Sequence, residues 1–163
     1  MVGCDRASAA DMLRVGSQRG GTKALMLSSG ELEALSDQIE WAKFPVAQNL
    51  LDAVGNGAVD VGLAGDAPFQ FAYQSGLPIK VVSAQRADPH PTEAVAIVVP
   101  GDPPVRIIAD LKGKRIATTR GSIGYYLALR AFHEAGLSPN TMHFIWLTPG
   151  DTRAAFASRT IDA

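Results

Sequence analysis

Apolar and polar positions along the chain alternate between a strand-like and a helix-like period. Residues 13–16, Leu-Arg-Val-Gly, read as a short apolar strand. Residues 22–28 read as a helix with Leu25 on its buried face and Gly30 breaking it. Residues 39–44 are strand-like until Pro45 stops them. Ala47, Leu50, Leu51 and Val54 then fall at i, i+3, i+4 and i+7, an apolar helical stripe that Gly55-Asn56-Gly57 terminates. Strand 59–63, turn 65–68, helix 69–75 and strand 79–84 follow. After a polar, proline-bearing stretch at 85–92 come strand 94–99, turn 101–104 and a short helix 108–111. Strand 115–118, helix 122–135 capped by Gly136, strand 143–147 and helix 151–159 complete the order. Strands alternating with helices through short loops predict an α/β fold of parallel sheets with helices packed on them.

The pattern repeats. A strand, Arg19-Gly20-Gly21, a helix, a strand with Trp41, Pro45, a helix and Val59-Asp60 are echoed in order. The second copy has a strand, Arg120-Gly121-Ser122, a helix, a strand with Trp146, Pro149, a helix and Ile161-Asp162. Arg19 to Asp60 spans 41 residues and Arg120 to Asp162 spans 42. Two related βαβαβ lobes are therefore expected. After Asp60 the first copy goes on at once into Val61-Gly62-Leu63-Ala64, whereas the second reaches Ala163 where its equivalent strand is due. The second lobe is expected to be cut short there.

Composition narrows the class. The 163 residues, 47% hydrophobic and 19% charged, are those of a globular protein rather than a disordered one. A net charge of −1 gives no footprint for nucleic acid or a membrane surface, and no apolar run approaches a membrane span. The single cysteine, Cys4, excludes an internal disulfide and a multi-cysteine metal site. His90, His133 and His143 have no ligand spacing, so no metal is expected. Met-Val-Gly ahead of Cys4 resembles the end of a bacterial lipoprotein signal without its charged and apolar parts. A lipid anchor and chance both remain open for Cys4.

In open parallel sheets ligands bind beyond the carboxyl ends of the strands, where helices begin. Three such loops stand out. Gln18 to Thr22 places Gly20 and Gly21 ahead of a helix, so backbone N–H groups can approach a ligand, with Thr22 and Gln18 adding a hydroxyl and an amide. Gly65-Asp66-Ala67-Pro68 precedes the third helix, where Pro68 suits a first turn. Arg120-Gly121-Ser122 precedes the fourth, with Tyr125 and Tyr126 one turn in. Singly, each loop is explained as a tight turn or a helix cap. Together they suggest a site for a small anion, with Arg19 and Arg120 as candidate counter-charges. No GxSxG, Walker loop, HExxH or GxGxxG occurs, so no catalytic set and no dinucleotide or other cofactor is expected.

The segments LRVGSQRGGTKAL, FPVAQNLLDAVGNGAVDVGLAGDAPFQFA and DLKGKRIATTRGSIGYYLALRAFHEAGLS resemble the aliphatic-sulfonate-binding proteins of ABC importers. These belong to the sulfonate, taurine and nitrate group of periplasmic solute-binding proteins. The resemblance implies a two-lobed type II fold that closes on its ligand by hinge motion, with delivery to a membrane permease and ATP hydrolysed by a separate subunit. It also implies a location in the periplasm or at the outer face of the cell membrane. On this reading residues 1–12 are a leader, 13–88 the first lobe, 89–93 the hinge and 94–163 an incomplete second lobe. Gln18, Gly21 and Thr22 match the first binding loop, in which Gly20 is a further candidate, Gly65, Asp66 and Ala67 match the second, and Gly121 and Ser122 the third. At two third-loop positions where the family carries a small or hydroxyl residue and a histidine, this chain has Ile123 and Tyr125. That departure points to a larger or more aromatic ligand touching Tyr125. Family members also continue past the point matching Ala163.

Two other classes share this scaffold. A desulfinase-like enzyme would need a nucleophilic cysteine in the cleft, and Cys4 precedes the first strand. The effector-sensing half of a transcription regulator would follow a basic helix-turn-helix, for which the residues ahead of Leu13 are too few.

Overall fold

The computed structural model describes residues 12–85, 95–102 and 105–163, and its first regular element is the strand Leu13–Gln18 (β1). β1 is the centre of a parallel sheet, flanked by Ile39–Phe44 (β2) on one side and Val61–Gly62 (β3) on the other. The register Gln18↔Phe44 sets the carboxyl ends of β1 and β2 level, and β3 pairs as Val15↔Val61 and ends opposite Gly16. Gly21–Ser29 (α1) connects β1 to β2 through the turns 33–38, and Ala47–Gly55 (α2) connects β2 to β3. Of the stripe expected for α2, Leu50 and Leu51 are buried and Ala47 and Val54 half-buried, and Ala53 is buried beside them.

Leu50 explains why two strands carry glycine at register-paired positions. Gly16 and Gly62 face each other across β1 and β3, and the fully buried Leu50 side chain lies over both. A Cβ on Gly62 would fall 2.5 Å from Leu50 Cδ2, and one on Gly16 3.1 Å from Leu50 Cγ. The glycines form the socket for the helix. Among the described residues, those up to Ala64 make one compact unit and those from Gly65 onward another.

The second unit opens with Asp66–Gln74 (α3). It is organised by the parallel pair Arg115–Thr118 (β4) and His143–Trp146 (β5), with Ile123–Glu134 (α4) between them and Pro149–Ala157 (α5) after β5. Its core joins Leu111, Ile116, Ala128, Phe132 and Met142, with Phe132 fully buried.

The two units share more than their element order. Asp60 accepts from the backbone N–H of Arg14 at 2.8 Å and from its guanidinium at 3.1 and 2.6 Å. Asp162 accepts from Arg115 in the same way, at 2.8, 3.1 and 3.0 Å. Asp60 and Asp162 each return a backbone N–H to the carbonyl of their arginine at 2.8 Å. Three residues before each aspartate stands a left-handed residue, Gly57 at φ 76° and Arg159 at φ 59°. The repeat expected from the sequence is thus present at atomic detail. Its tryptophan landmark is not, because Trp41 pairs with Val15 as Phe144 pairs with Ile116, while Trp146 pairs with Thr118.

Other expectations need correction. Leu25 is exposed, as is Leu27, and α1 buries no residue. Residues 24–27 are a continuous apolar run, which does not choose a helix face as an i, i+3 stripe does. Residues 79–84 and 95–99 enter no ladder among the described residues, although their composition is strand-like; a strand requires a partner as well as a pattern. β3 is shorter than expected, α3 begins at Asp66 rather than after a turn, and α5 begins at Pro149 and ends at Ala157. Proline at a first helical position is pre-set for the helix, which accounts for the early start of α5. Residues 1–11 of the leader expected at 1–12 and the hinge expected at 89–93 lie outside the described residues, as do Cys4 and His90.

Candidate functional site

Each of the three candidate loops lies where a helix begins, and each solves that junction differently. In the first, Arg19 (φ 51°) and Gly20 (φ 79°) are both left-handed, which turns the chain from β1 into α1. The Arg19 N–H donates to the Phe44 carbonyl at 2.9 Å and pins the turn to β2. No side chain caps α1, so its first amides, those of Gly21 and Thr22 among them, are not taken by a capping group. A Cβ on Gly20 or Gly21 would meet nothing within 4 Å, leaving open approach to the backbone. Gln18 ends β1, and its Nε2 donates to the Leu63 carbonyl at 3.1 Å. That bond uses one of two amide hydrogens and fixes where the other is presented.

In the second loop Gly65 is the N-cap residue of α3, and Asp66 and Ala67 are the first helical residues. The exposed Asp66 carboxylate accepts from the Ala67 N–H at 2.8 Å. This donor is therefore taken by a negative charge, which also favours the positive end of the helix. The arrangement suits a cationic group more than a bare anion.

In the third loop buried Gly121 is left-handed at φ 66°, and Ser122 caps α4. Ser122 Oγ accepts from the Tyr125 N–H at 3.1 Å and shares a hydrogen with Thr118 Oγ1 at 3.2 Å. When Thr118 donates in that pair, the Ser122 hydrogen is free to turn toward a ligand. Thr119 Oγ1 donates to the Leu147 carbonyl at 2.9 Å and ties the ends of β4 and β5 together. Gly124 was not singled out from the sequence, yet a Cβ there would stand 3.0 Å from Thr118 Oγ1. Its bareness keeps the hydroxyl pair intact, and the only sequence signal for it is a glycine inside a helical pattern.

Tyr125 lies in the first turn of α4 with its ring among three others. Its centroid is 5.5 Å from that of Phe71, 5.2 Å from Phe144 and 4.9 Å from Trp146. The Arg120 guanidinium lies over the Trp146 ring at 4.6 Å. Such stacking holds a cation in place without neutralising it. The stacking fixes the guanidinium of Arg120, the residue ahead of Gly121 and Ser122. Exposed His133 and His143 lie on α4 and at the start of β5. Among the described residues no cluster of side chains suits a metal ion, and no helix is long and apolar enough to cross a membrane.

The chain is 34% identical over 159 residues to an Escherichia coli protein named as a putative aliphatic sulfonates-binding protein, covering 96% of this chain and 49% of that one. It is 28% identical over 126 residues to the taurine-binding periplasmic protein of Escherichia coli, covering 76% and 37%. The alkanesulfonate-binding protein of Xanthomonas axonopodis pv. citri, solved bound to MOPS, superposes with a TM-score of 0.75 at 31% identity. That superposition covers 96% of this chain and 54% of the other. The chain thus spans about half the length, or less, of the relatives it matches. The α/β fold of parallel sheets flanked by helices is that of these binding proteins. Residues 43–163, well over half of the chain, match the family described as NMT1/THI5 like, and the chain belongs to that family.

Proposed function

We propose that the chain is part of the solute-binding subunit of an ABC importer and that its ligand is a small organic anion, an aliphatic sulfonate first, with taurine and nitrate as related candidates. The observation that carries this is the superposition on an alkanesulfonate-binding protein over nearly the whole chain. In this reading the ligand is held by neutral donors: the Gly21 and Thr22 amides and the Thr22 hydroxyl, the free Gln18 amide hydrogen, and the Gly121–Ser122 loop. A sulfonate spreads one charge over three oxygens, so several N–H and O–H donors hold it without a buried counter-charge. Leaving charges out of the site also lowers its desolvation cost. Gly65, Asp66 and Ala67 complete the site, and the Asp66 carboxylate supplies a partner for an ammonium group. That feature favours a zwitterion such as taurine among the candidates.

The subunit works in the periplasm, the compartment in the name of its taurine-binding relative, and hands the solute to a membrane permease coupled to a separate ATPase. It performs capture rather than catalysis, in keeping with relatives named as binding proteins. Amide shift mapping by NMR, with ethanesulfonate, taurine, MOPS and nitrate as probes, tests the reading. Shifts centred on Gly21, Thr22, Gly121 and Ser122 are expected. Their absence with every probe, at concentrations well above millimolar, would refute it.

A further inference from the structure

A cation without an acidic partner stands at the carboxyl ends of β4 and β5. The Arg120 guanidinium lies over the Trp146 ring, 4.6 Å from its centre. The ion pairs among the described residues join Arg14 to Asp60, Arg115 to Asp162, Arg130 to Glu134 and Arg159 to Asp102, and none of them uses Arg120. Asp66, the acidic residue of the proposed site, holds the Ala67 N–H instead. A guanidinium over a ring engages it through its face, while its five N–H donors point outward in its own plane. Among the described residues no acceptor takes them, so they are open to a ligand.

The rings beneath hold this cation in one place. Trp146 stacks on Phe144 with centroids 5.6 Å apart and planes 12° from parallel, and Phe144 meets the fully buried Phe132 at 6.2 Å. Tyr125 crosses Trp146 at 85° and 4.9 Å. The backbone is pinned as well, since Thr119, just before Arg120, donates to the carbonyl of Leu147, just after Trp146. A column of rings thus runs from the core of the second unit to an exposed arginine. The first unit has no such column. Trp41 pairs with Val15, two residues short of the register that Trp146 holds, and Lys23 rather than Arg19 lies over it, at 5.9 Å. At the register of Thr118, Trp146 ends β5 and can carry the arginine of the loop.

The guanidinium is set beside the Ser122 hydroxyl rather than on it. Ser122 Oγ lies 3.2 Å from Thr118 Oγ1 on β4, whereas Arg120 lies over Trp146 on β5. Thr118 and Trp146 are register partners, and paired strands run about 4.8 Å apart. Left-handed Gly121 turns the chain between the two residues and lets their side chains diverge. Two groups of donors about one strand spacing apart suit two oxyanions on one short carbon chain better than a single oxyanion.

We propose that Arg120, carried on Trp146, is the specificity-determining residue for a second oxyanion, and that the ligand is a short-chain sulfonate that also bears a carboxylate, a sulfocarboxylate. The proposal rests on the sulfonate reading of the Gly121–Ser122 loop. The sulfonate is held by the neutral donors. The planar fork of a guanidinium suits a carboxylate, which it meets through two parallel N–H···O bonds. Stacking fixes the fork before the ligand arrives and so reduces the ordering cost of binding.

Calorimetric titration of the full chain with ethanesulfonate, sulfoacetate and 3-sulfopropanoate tests this. The better of the two sulfocarboxylates is expected to bind about five- to tenfold more tightly than ethanesulfonate. Arg120→Gln should bring that ratio down to about one. Arg120→Lys retains the charge without the flat fork, and Trp146→Leu removes the platform with Arg120 in place; each should lower the ratio to about half or less. In a Trp41→Phe background the Trp146 emission should respond to the sulfocarboxylate and not to ethanesulfonate, a signal that follows the stack rather than the fold. Equal affinity of the parent for all three ligands, or a ratio that survives Arg120→Gln, would overturn this proposal alone. Weakening of all three by one common factor in Arg120→Gln would make Arg120 a counter-charge of the sulfonate and would overturn it too. No heat from any of the three would refute the sulfonate reading and this proposal together.

Discussion

Replacing Gly62 by alanine, alone and together with Leu50→Ala, isolates the contact that seats α2 on its sheet. The new Cβ would lie 2.5 Å from Leu50 Cδ2, 3.0 Å from Cγ and 3.1 Å from Cδ1. The obstacle is the whole branch of the side chain rather than one terminal methyl. Leu50 is fully buried and rests equally on Gly16, so it has no free space toward β1. Overpacking of this kind costs about 1–3 kcal/mol. Leu50→Ala alone empties the same position and costs about 2–5 kcal/mol. Once Leu50 is shortened, the added methyl enters vacated volume. Gly62 is not among the positive-φ residues, so alanine there also loses less freedom on folding, a gain of about 0.4–1 kcal/mol.

The effect of Gly62→Ala is therefore expected to change sign between the two backgrounds. The coupling is about 1–3 kcal/mol or more, well beyond the roughly 0.3–0.5 kcal/mol scatter of independent sites. The chain has two tryptophans, and Trp41 belongs to the unit under test while Trp146 belongs to the other. Urea unfolding followed by Trp41 fluorescence in a Trp146→Phe background reads the first unit without assuming that both units melt together. An equal cost of Gly62→Ala with and without Leu50 would refute the socket.

Three further outcomes are expected. The Arg115 side chain and backbone N–H hold the Asp162 carboxyl down at about 2, below its ordinary 3.8. The unfolded chain then binds the proton more readily. The contribution is fully present above about pH 4 and is lost as the pH falls through about 2. Asp162→Asn should flatten this acid limb of stability in urea titrations at stepped pH, and an unaltered limb would count against the clamp. Ser122→Ala should cost about 1 kcal/mol through the lost cap on Tyr125, seen in thermal unfolding. Ser122→Asn should restore that stability without restoring sulfonate affinity, and recovery of both would make Ser122 a cap alone. Asp66→Asn should strengthen ethanesulfonate binding and weaken taurine binding in calorimetric titration. Each shift is up to about fivefold, as expected for an exposed charge, and equal shifts for both ligands would remove Asp66 from ammonium recognition.

What the sequence reveals here depends on whether a feature is settled locally. α4 is legible because its cap Ser122, its apolar periodicity and its stop at Gly136 all lie within it, and the structure reproduces its bounds. Gly20 and Gly121 are legible as turn positions because the local backbone decides them, and the structure gives both a left-handed φ. The Arg14–Asp60 and Arg115–Asp162 clamps are half legible. Each aspartate stands out as a landmark of the repeat, but its arginine is selected by strand register, which joins positions far apart in the chain. Residues 79–84 and 95–99 mark the limit, since their pattern is that of strands and only a neighbouring strand would make them so. The loops show the same division. The GDAP stretch at residues 65–68 reads as a ligand motif, yet nearby Gly62 is bare because Leu50 occupies the space, and Gly124 is bare because of the Thr118 hydroxyl. Both glycines govern how closely a helix approaches the strands whose ends carry candidate donors. Packing and recognition therefore draw on the same residue type within a few positions of each other. Only the distance to the next side chain tells them apart.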